Sequence, residues 1–136
     1  MRKDINPVPG LGPIFEGWLS PGVRAGHLIY TAGFIGCDPV TGKVLKGDVE
    51  GQIRRIFVQM EMTIRAHGGS GLEDVVKMTM YFTDRKHQWP VLDRVRREIW
   101  HKNPPATTGI GIVELEQGAD IEIEAVAMID AVSSIA

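Results

Sequence analysis

The segment Ile121-Glu122-Ile123-Glu124-Ala125-Val126-Ala127-Met128-Ile129 constrains the fold more than any other. Its residues alternate with period two, which is the signature of a β-strand. Ile121, Ile123, Ala125, Ala127 and Ile129 line one face. The other face reads Glu122, Glu124, Val126, Met128, half charged and half apolar. The first face demands a covering layer. The second is too apolar at one end to be left wet, and burial against another subunit is the economical cover.

The rest of the chain supplies one covering layer. Ile53, Ile56, Phe57, Met60 and Ile64 recur at steps of three and four, so they form one stripe of a helix. Asp48 suits its N-cap, Glu50 its first turn, and His67-Gly68-Gly69 its end. Val75 to Asp84 alternates again, with Val76, Met78, Met80 and Phe82 expected on one face and Val75, Lys77, Thr79 and Tyr81 on the other. A second helix is expected from Gln88-Trp89-Pro90, striped by Leu92, Val95 and Ile99 and ended by Asn103-Pro104-Pro105. Strands are expected over 27–32, 108–115 and 121–129. Pro21-Gly22 reads as a turn, and Asp38-Pro39-Val40-Thr41-Gly42 as the reversal of the first strand. The order is β-β-α-β-α-β-β, an α/β chain with a mixed sheet, two helices on one face and hairpins at both ends. Pro7, Pro9, Gly10, Gly12 and Pro13 make residues 1–14 an arm, ahead of a single domain over 15–136.

A chain of 136 residues fits one domain and needs no disulfide staple. Its single cysteine, Cys37, rules out a disulfide framework and suits a reducing compartment. No secretory signal follows Met1-Arg2-Lys3, and no apolar run reaches membrane length, so the expected location is cytoplasmic. A net charge of −2 argues against nucleic acid or a membrane surface as partner.

Candidate chemistry is sparse. His27, His67, His87 and His101 show no metal-ligand spacing, so no metal is expected. Cys37 has no base nearby in sequence and reads as a small apolar filler. Gly109-Ile110-Gly111 lies in a strand pattern and reads as close backbone approach. Arg94, Arg96, Arg97 and Lys102 form a basic rim on the second helix and read as a solvated face. Glu122 and Glu124 share a face that runs into Val126 and Met128. A carboxyl there is partly desolvated, which raises its proton affinity and equips it for acid–base work.

Several segments together resemble the reactive-intermediate deaminase family, also called YjgF-like or L-PSP. They are residues 22–33 (Gly-Val-Arg-Ala-Gly-His-Leu-Ile-Tyr-Thr-Ala-Gly), 38–42, Gln52-Ile53-Arg54, 75–81, Pro105-Ala106-Thr107-Thr108 and 121–127. The resemblance implies a chorismate-mutase-like fold and a homotrimer with clefts between subunits. It also implies hydrolysis of enamines and imines without metal or organic cofactor. Glu122 matches the family glutamate that holds the attacking water. Gly33 and Phe34 match the strand end facing the ligand, and Trp18-Leu19 the aromatic that closes the cleft. Thr107 stands where the family has an arginine that clamps the substrate carboxylate. Losing that bidentate pair removes about 2–4 kcal/mol in a partly buried site. Gly109 replaces a cysteine and Leu92 an asparagine. The chain therefore groups with members that lack the arginine.

The resulting expectation is a deaminase-like hydrolase acting on a small unstable intermediate of amino-acid or aromatic catabolism. Glu122 is its catalytic residue, and Thr107, Thr108, Gly33, Phe34, Trp18 and Gly109 bind substrate. The alternatives are a trimer that binds a small metabolite without turnover and, disfavoured by charge, an endoribonuclease.

Overall fold

The computed structural model describes residues 3–129. Its strands are β1 (Gly22–Ala25), β2 (Leu28–Thr31), β3 (Val75–Phe82), β4 (Ala106–Gly111) and β5 (Ile121–Met128). Helix α1 (Val49–Ala66) lies between β2 and β3, and α2 (Arg85–Ile99) between β3 and β4. The element order is the one expected from the sequence, with short 3₁₀ turns added at Pro13–Phe15, Leu72–Asp74 and Glu116–Gly118. The strands form one sheet in the order β1-β2-β5-β3-β4. β3 and β4 run parallel, and β1/β2, β2/β5 and β3/β5 run antiparallel.

Both helices cover the same face. The core joins Ile29, Met78, Met80, Phe82, Ile121 and Ile123 of the sheet to Ile53, Ile56, Met60 and Ile64 of α1 and to Leu92 and Val95 of α2. Helix α1 starts where expected because the Asp48 carboxylate accepts a hydrogen bond from Gly51 N–H at 2.8 Å. Its buried Gln52 then fastens the start of β5. The Gln52 amide donates to Leu45 O at 3.0 Å and to the Asp120 carboxylate at 2.7 Å, and its oxygen accepts from Asp120 N–H at 3.0 Å. Gly36 allows the chain leaving β2 to press on this turn, since a Cβ there would lie 2.5 Å from the Gln52 backbone.

Several local expectations need correction. The first hairpin turns at Gly26-His27, not at 38–42, and Gly22 opens β1 instead of marking a turn. Residues 38–42 do reverse the chain, but join only an isolated bridge between Cys37 and Val44. The line of β2 resumes past a bend, where Phe34 and Ile123 exchange backbone hydrogen bonds of 2.9 and 3.1 Å. A register shift between Val75 and Lys77 turns Val75 into the core and leaves Val76 exposed, the reverse of strict alternation. Helix α2 begins at Arg85, so Pro90 falls inside it. The expected terminal hairpin is absent: β4 pairs with β3, and β5 inserts between β2 and β3. Ile129 of the last alternating run lies beyond β5.

The second sheet face carries no helix among the described residues. It presents Tyr30, Lys77, Thr79, Tyr81, Thr108, Ile110, Glu122, Glu124, Val126 and Met128. Met128 is 52% exposed there, and Tyr30 and Ile110 are exposed as well. No described helix is long and apolar enough to cross a membrane.

Ile123 sits at the centre of the sheet and is wholly buried. Ile123→Ala is expected to cost about 2–5 kcal/mol of stability, read from denaturant unfolding, because strands on both sides prevent the cavity from collapsing.

Candidate active site

Register determines where the acid of β5 can act. Glu122 lies opposite Tyr81 of β3 on the helix-free face, and Glu124 lies opposite Thr79. On its other side Glu122 meets the bend after β2. A Cβ on Gly33 would stand 2.6 Å from Glu122 Oε2, so the missing side chain is what seats the carboxyl. The two residues open into a crevice of about 280 Å³. Leu11, Ile14, Phe15, Leu19 and Ile35 give it apolar walls, while Cys37, Gln59, Glu116 and Gln117 add polar atoms.

The surroundings of Glu122 push its proton affinity up. Burial is the larger cause, and the neighbouring Glu124 charge adds to it. The Glu122 carboxyl has no hydrogen-bond partner among the described residues. Glu124, by contrast, accepts a 2.5 Å hydrogen bond from the Tyr81 hydroxyl. That bond is the main reason the Tyr81 hydroxyl holds its proton more tightly than usual. One carboxyl of the pair is thus tied up, and the other is free, half-buried and ready to exchange a proton.

The other expected site residues are dispersed. Thr107 and Gly109 pair with Met78 and Met80, so they face the helix layer. The Thr107 hydroxyl donates to Pro105 O at 3.1 Å, and a Cβ on Gly109 would meet the Phe82 ring at 3.2 Å. Gly109 is therefore the close backbone approach read from the sequence, whereas Gly111 faces open space. Thr108 shares the face of Glu122 and accepts from Lys77 Nζ at 2.6 Å, two strands away. Phe34 is 1% exposed and packs edge-on against Phe15 at 5.6 Å, so its side chain belongs to the core. Trp18 is 86% exposed and lines a separate shallow groove with Ile5, Pro7 and Phe15. Within one chain, only Gly33 and Glu122 of the expected set line the crevice.

Sequence reasoning missed Gln59, Glu116 and Gln117. Gln59 was detectable, because it interrupts the buried stripe of α1 with a polar group. Glu116 and Gln117 lie in a turn where Gln117 has a positive φ of 56°, and nothing in the local pattern aims them at Glu122. The basic rim of α2 is largely spent on carboxylates. Arg94 pairs with Glu50 at 2.5 Å, and Arg96 and Arg97 pair with Asp93 at 2.6 and 3.0 Å.

A family model described as Endoribonuclease L-PSP matches residues 13–129. A RutC family protein of Pyrococcus horikoshii is 33% identical over 108 residues, covering 79% of this chain and 84% of that protein. The 2-iminobutanoate/2-iminopropanoate deaminase of Homo sapiens is 29% identical over 128 residues, covering 94% and 90%. Among solved structures, RidA from the Antarctic bacterium Psychrobacter sp. PAMC 21119 superposes with a TM-score of 0.82. It is 28% identical, and the match covers 92% of this chain and 98% of that one.

The raised Glu122 pKa carries a sign for stability. Folding favours the protonated form, so its contribution is full below the ordinary value of 4.5 and fades as pH climbs through the raised value. Glu122→Gln cannot ionise. Relative to wild type it is expected to gain stability between acid and neutral pH, measured as the difference in unfolding midpoints.

Proposed function

Because the chain belongs to the Endoribonuclease L-PSP family, we propose that it hydrolyses an imine or enamine to a carbonyl compound and ammonia, with Glu122 handling the proton. The observation that carries this reading is the half-buried, unpartnered Glu122 carboxyl seated against Gly33 in an apolar-walled crevice. The name of the human relative, 2-iminobutanoate/2-iminopropanoate deaminase, supports the same chemistry.

The steps follow from that geometry. An enamine first takes a proton at carbon and becomes the imine. Water then attacks the imine carbon while Glu122 accepts the water's proton. Glu122 returns that proton to nitrogen, giving the carbinolamine; it then takes the hydroxyl proton and passes it to the same nitrogen as the carbon–nitrogen bond breaks, so ammonia leaves and the carbonyl forms. The raised proton affinity of Glu122 brings it closer to neutral pH, where one group serves both as acceptor and as donor. The apolar walls limit the water that competes for the carboxyl.

The assembly belongs to the proposal as well. The helix-free sheet face, with Tyr30, Ile110, Val126 and Met128, is read as the surface buried in a homotrimer. In that trimer the edge strand β4, which carries Thr107, Thr108 and Gly109, is read as bordering the Glu122 crevice of a neighbouring subunit. A metabolite-binding trimer without turnover is the second reading. What favours it is Thr107, whose hydroxyl is occupied by Pro105 O and cannot act as a charged clamp. An endoribonuclease finds little support in a rim of paired arginines.

Freshly generated 2-aminoacrylate and a carboxylate-free imine, each followed by ammonia release, test the chemistry. Wild type is expected to exceed the uncatalysed rate on at least one, and Glu122→Gln to lose about 10²–10⁴-fold. Equal rates for the two proteins would remove Glu122 from the mechanism, and tight binding without ammonia would favour the second reading. Gly33→Ala makes a separate prediction. The new methyl displaces the flexible Glu122 side chain, so turnover falls while the unfolding midpoint stays near wild type. Sedimentation equilibrium is expected to give a trimer; a monomer would contradict the assembly.

A further inference from the structure

We propose that His67 is an acid-sensitive latch for the N-terminal arm. With the ring neutral it holds Asn6 against the end of α1, and with the ring protonated it lets residues 4–7 go. This inference goes beyond the hydrolytic reading and does not rest on it.

Both ring nitrogens of His67 are committed, and the residue is 1% exposed. Nδ1 lies 2.7 Å from Thr63 O, and a carbonyl oxygen can only accept, so Nδ1 carries a proton. Nε2 accepts from Asn6 N–H at 3.0 Å, so it carries none. Together these contacts require the neutral ring in one tautomer. A proton added at Nε2 would face the Asn6 N–H, donor against donor, in a buried position. Arg24 of β1 adds a cation beside the same residue, since its Nη1 donates to His67 O at 3.2 Å. The other charged groups on the elements packed here are Arg65 and Glu61 of α1, paired at 3.4 Å, Glu73 and Asp74 in the following turn, and Lys3 and Asp4 on the arm. Both ring nitrogens are turned to other atoms. His87 has the opposite arrangement: its Nδ1 lies 2.8 Å from the Asp84 carboxylate, where a ring charge would strengthen the contact.

Little else fastens the arm at this point. The Asn6 amide donates to Ala66 O at 2.8 Å, and Asp4 and Arg24 exchange backbone hydrogen bonds of 2.8 and 2.9 Å. Ile5 and Pro7 are exposed, so apolar burial adds little. Release ends further along the chain. Val8 packs on the core, Arg55 holds Gly10 O at 2.7 Å, and Phe15 packs on Phe34. The crevice wall at Leu11 and Phe15 therefore stays, while the shallow groove beside Trp18 loses its Ile5, Asn6 and Pro7 side.

Amide hydrogen exchange of the full chain, read by NMR at about pH 8 and about pH 5, tests the latch. Protection of the Asp4 and Asn6 amides is expected to fall about tenfold or more in acid, while that of Ile123, bonded to Phe34 O, holds. The ring ¹⁵N shifts of His67 are expected to place the proton on Nδ1 at the higher pH. The side chain in His67→Gln can donate and accept but cannot titrate, so arm protection is expected to be equal at both values. Asn6→Pro removes the N–H and leaves α1 intact. It is expected to expose the Asp4 amide already at the higher pH, with the rest of the chain folded. Wild-type arm amides equally protected at both values, a proton on Nε2, an acid loss that persists in His67→Gln, or a protected Asp4 in Asn6→Pro would overturn the proposal. Turnover enters none of these readouts, so the latch and the hydrolytic reading fail separately.

Discussion

The insertion of β5 between β2 and β3 is the constraint from which the site follows. A strand flanked on both sides has one admissible register, because a slip of one residue would carry Ile121, Ile123, Ala125 and Ala127 out of the core. The same register places Glu122 across from Tyr81 and Glu124 across from Thr79. Gln52 reinforces it from α1 by binding both the backbone N–H and the carboxylate of Asp120, one residue before the strand starts. The bend at Gly33 and the bridge between Phe34 and Ile123 bring the β2 extension alongside. Core packing and placement of the acid are thus one event.

Electrostatics then divides two carboxyls that the sequence presents as equals. Glu124 is satisfied by the Tyr81 hydroxyl, while Glu122 has burial on one side and a like charge on the other. The Tyr81 hydroxyl gives its hydrogen bond to Glu124 and so secures the group that does the repelling. Removing the unpaired carboxyl relieves the fold, as is common where a protein keeps a strained group for function.

Much of this was legible in the residues. The two faces of β5 revealed the covered core, the helix-free face and a partly desolvated carboxyl among Glu122 and Glu124; the family resemblance, not the spacing, pointed to Glu122. The α1 stripe and its Asp48 cap gave that helix nearly to the residue. What escaped depended on nonlocal geometry. Alternation cannot tell β4 paired with β5 from β4 paired with β3, because both leave the same side chains inside. The shift at Val75 to Lys77 arises from pairing and leaves no local mark. Phe34 sits beside the site residue Gly33 in sequence, yet its ring turns inward to Phe15. Gln59, which lines the crevice, was visible only as a polar gap in an apolar stripe.

The proposed chemistry depends on the proton at Glu122. A ¹³C NMR titration of glutamate side-chain carboxyls, with the Glu122 signal assigned through its loss in Glu122→Gln, measures it directly. A midpoint clearly above the ordinary 4.5 is the predicted result. A midpoint at or below that value would show a well-hydrated or paired carboxylate, and would contradict its role as the proton carrier of the crevice.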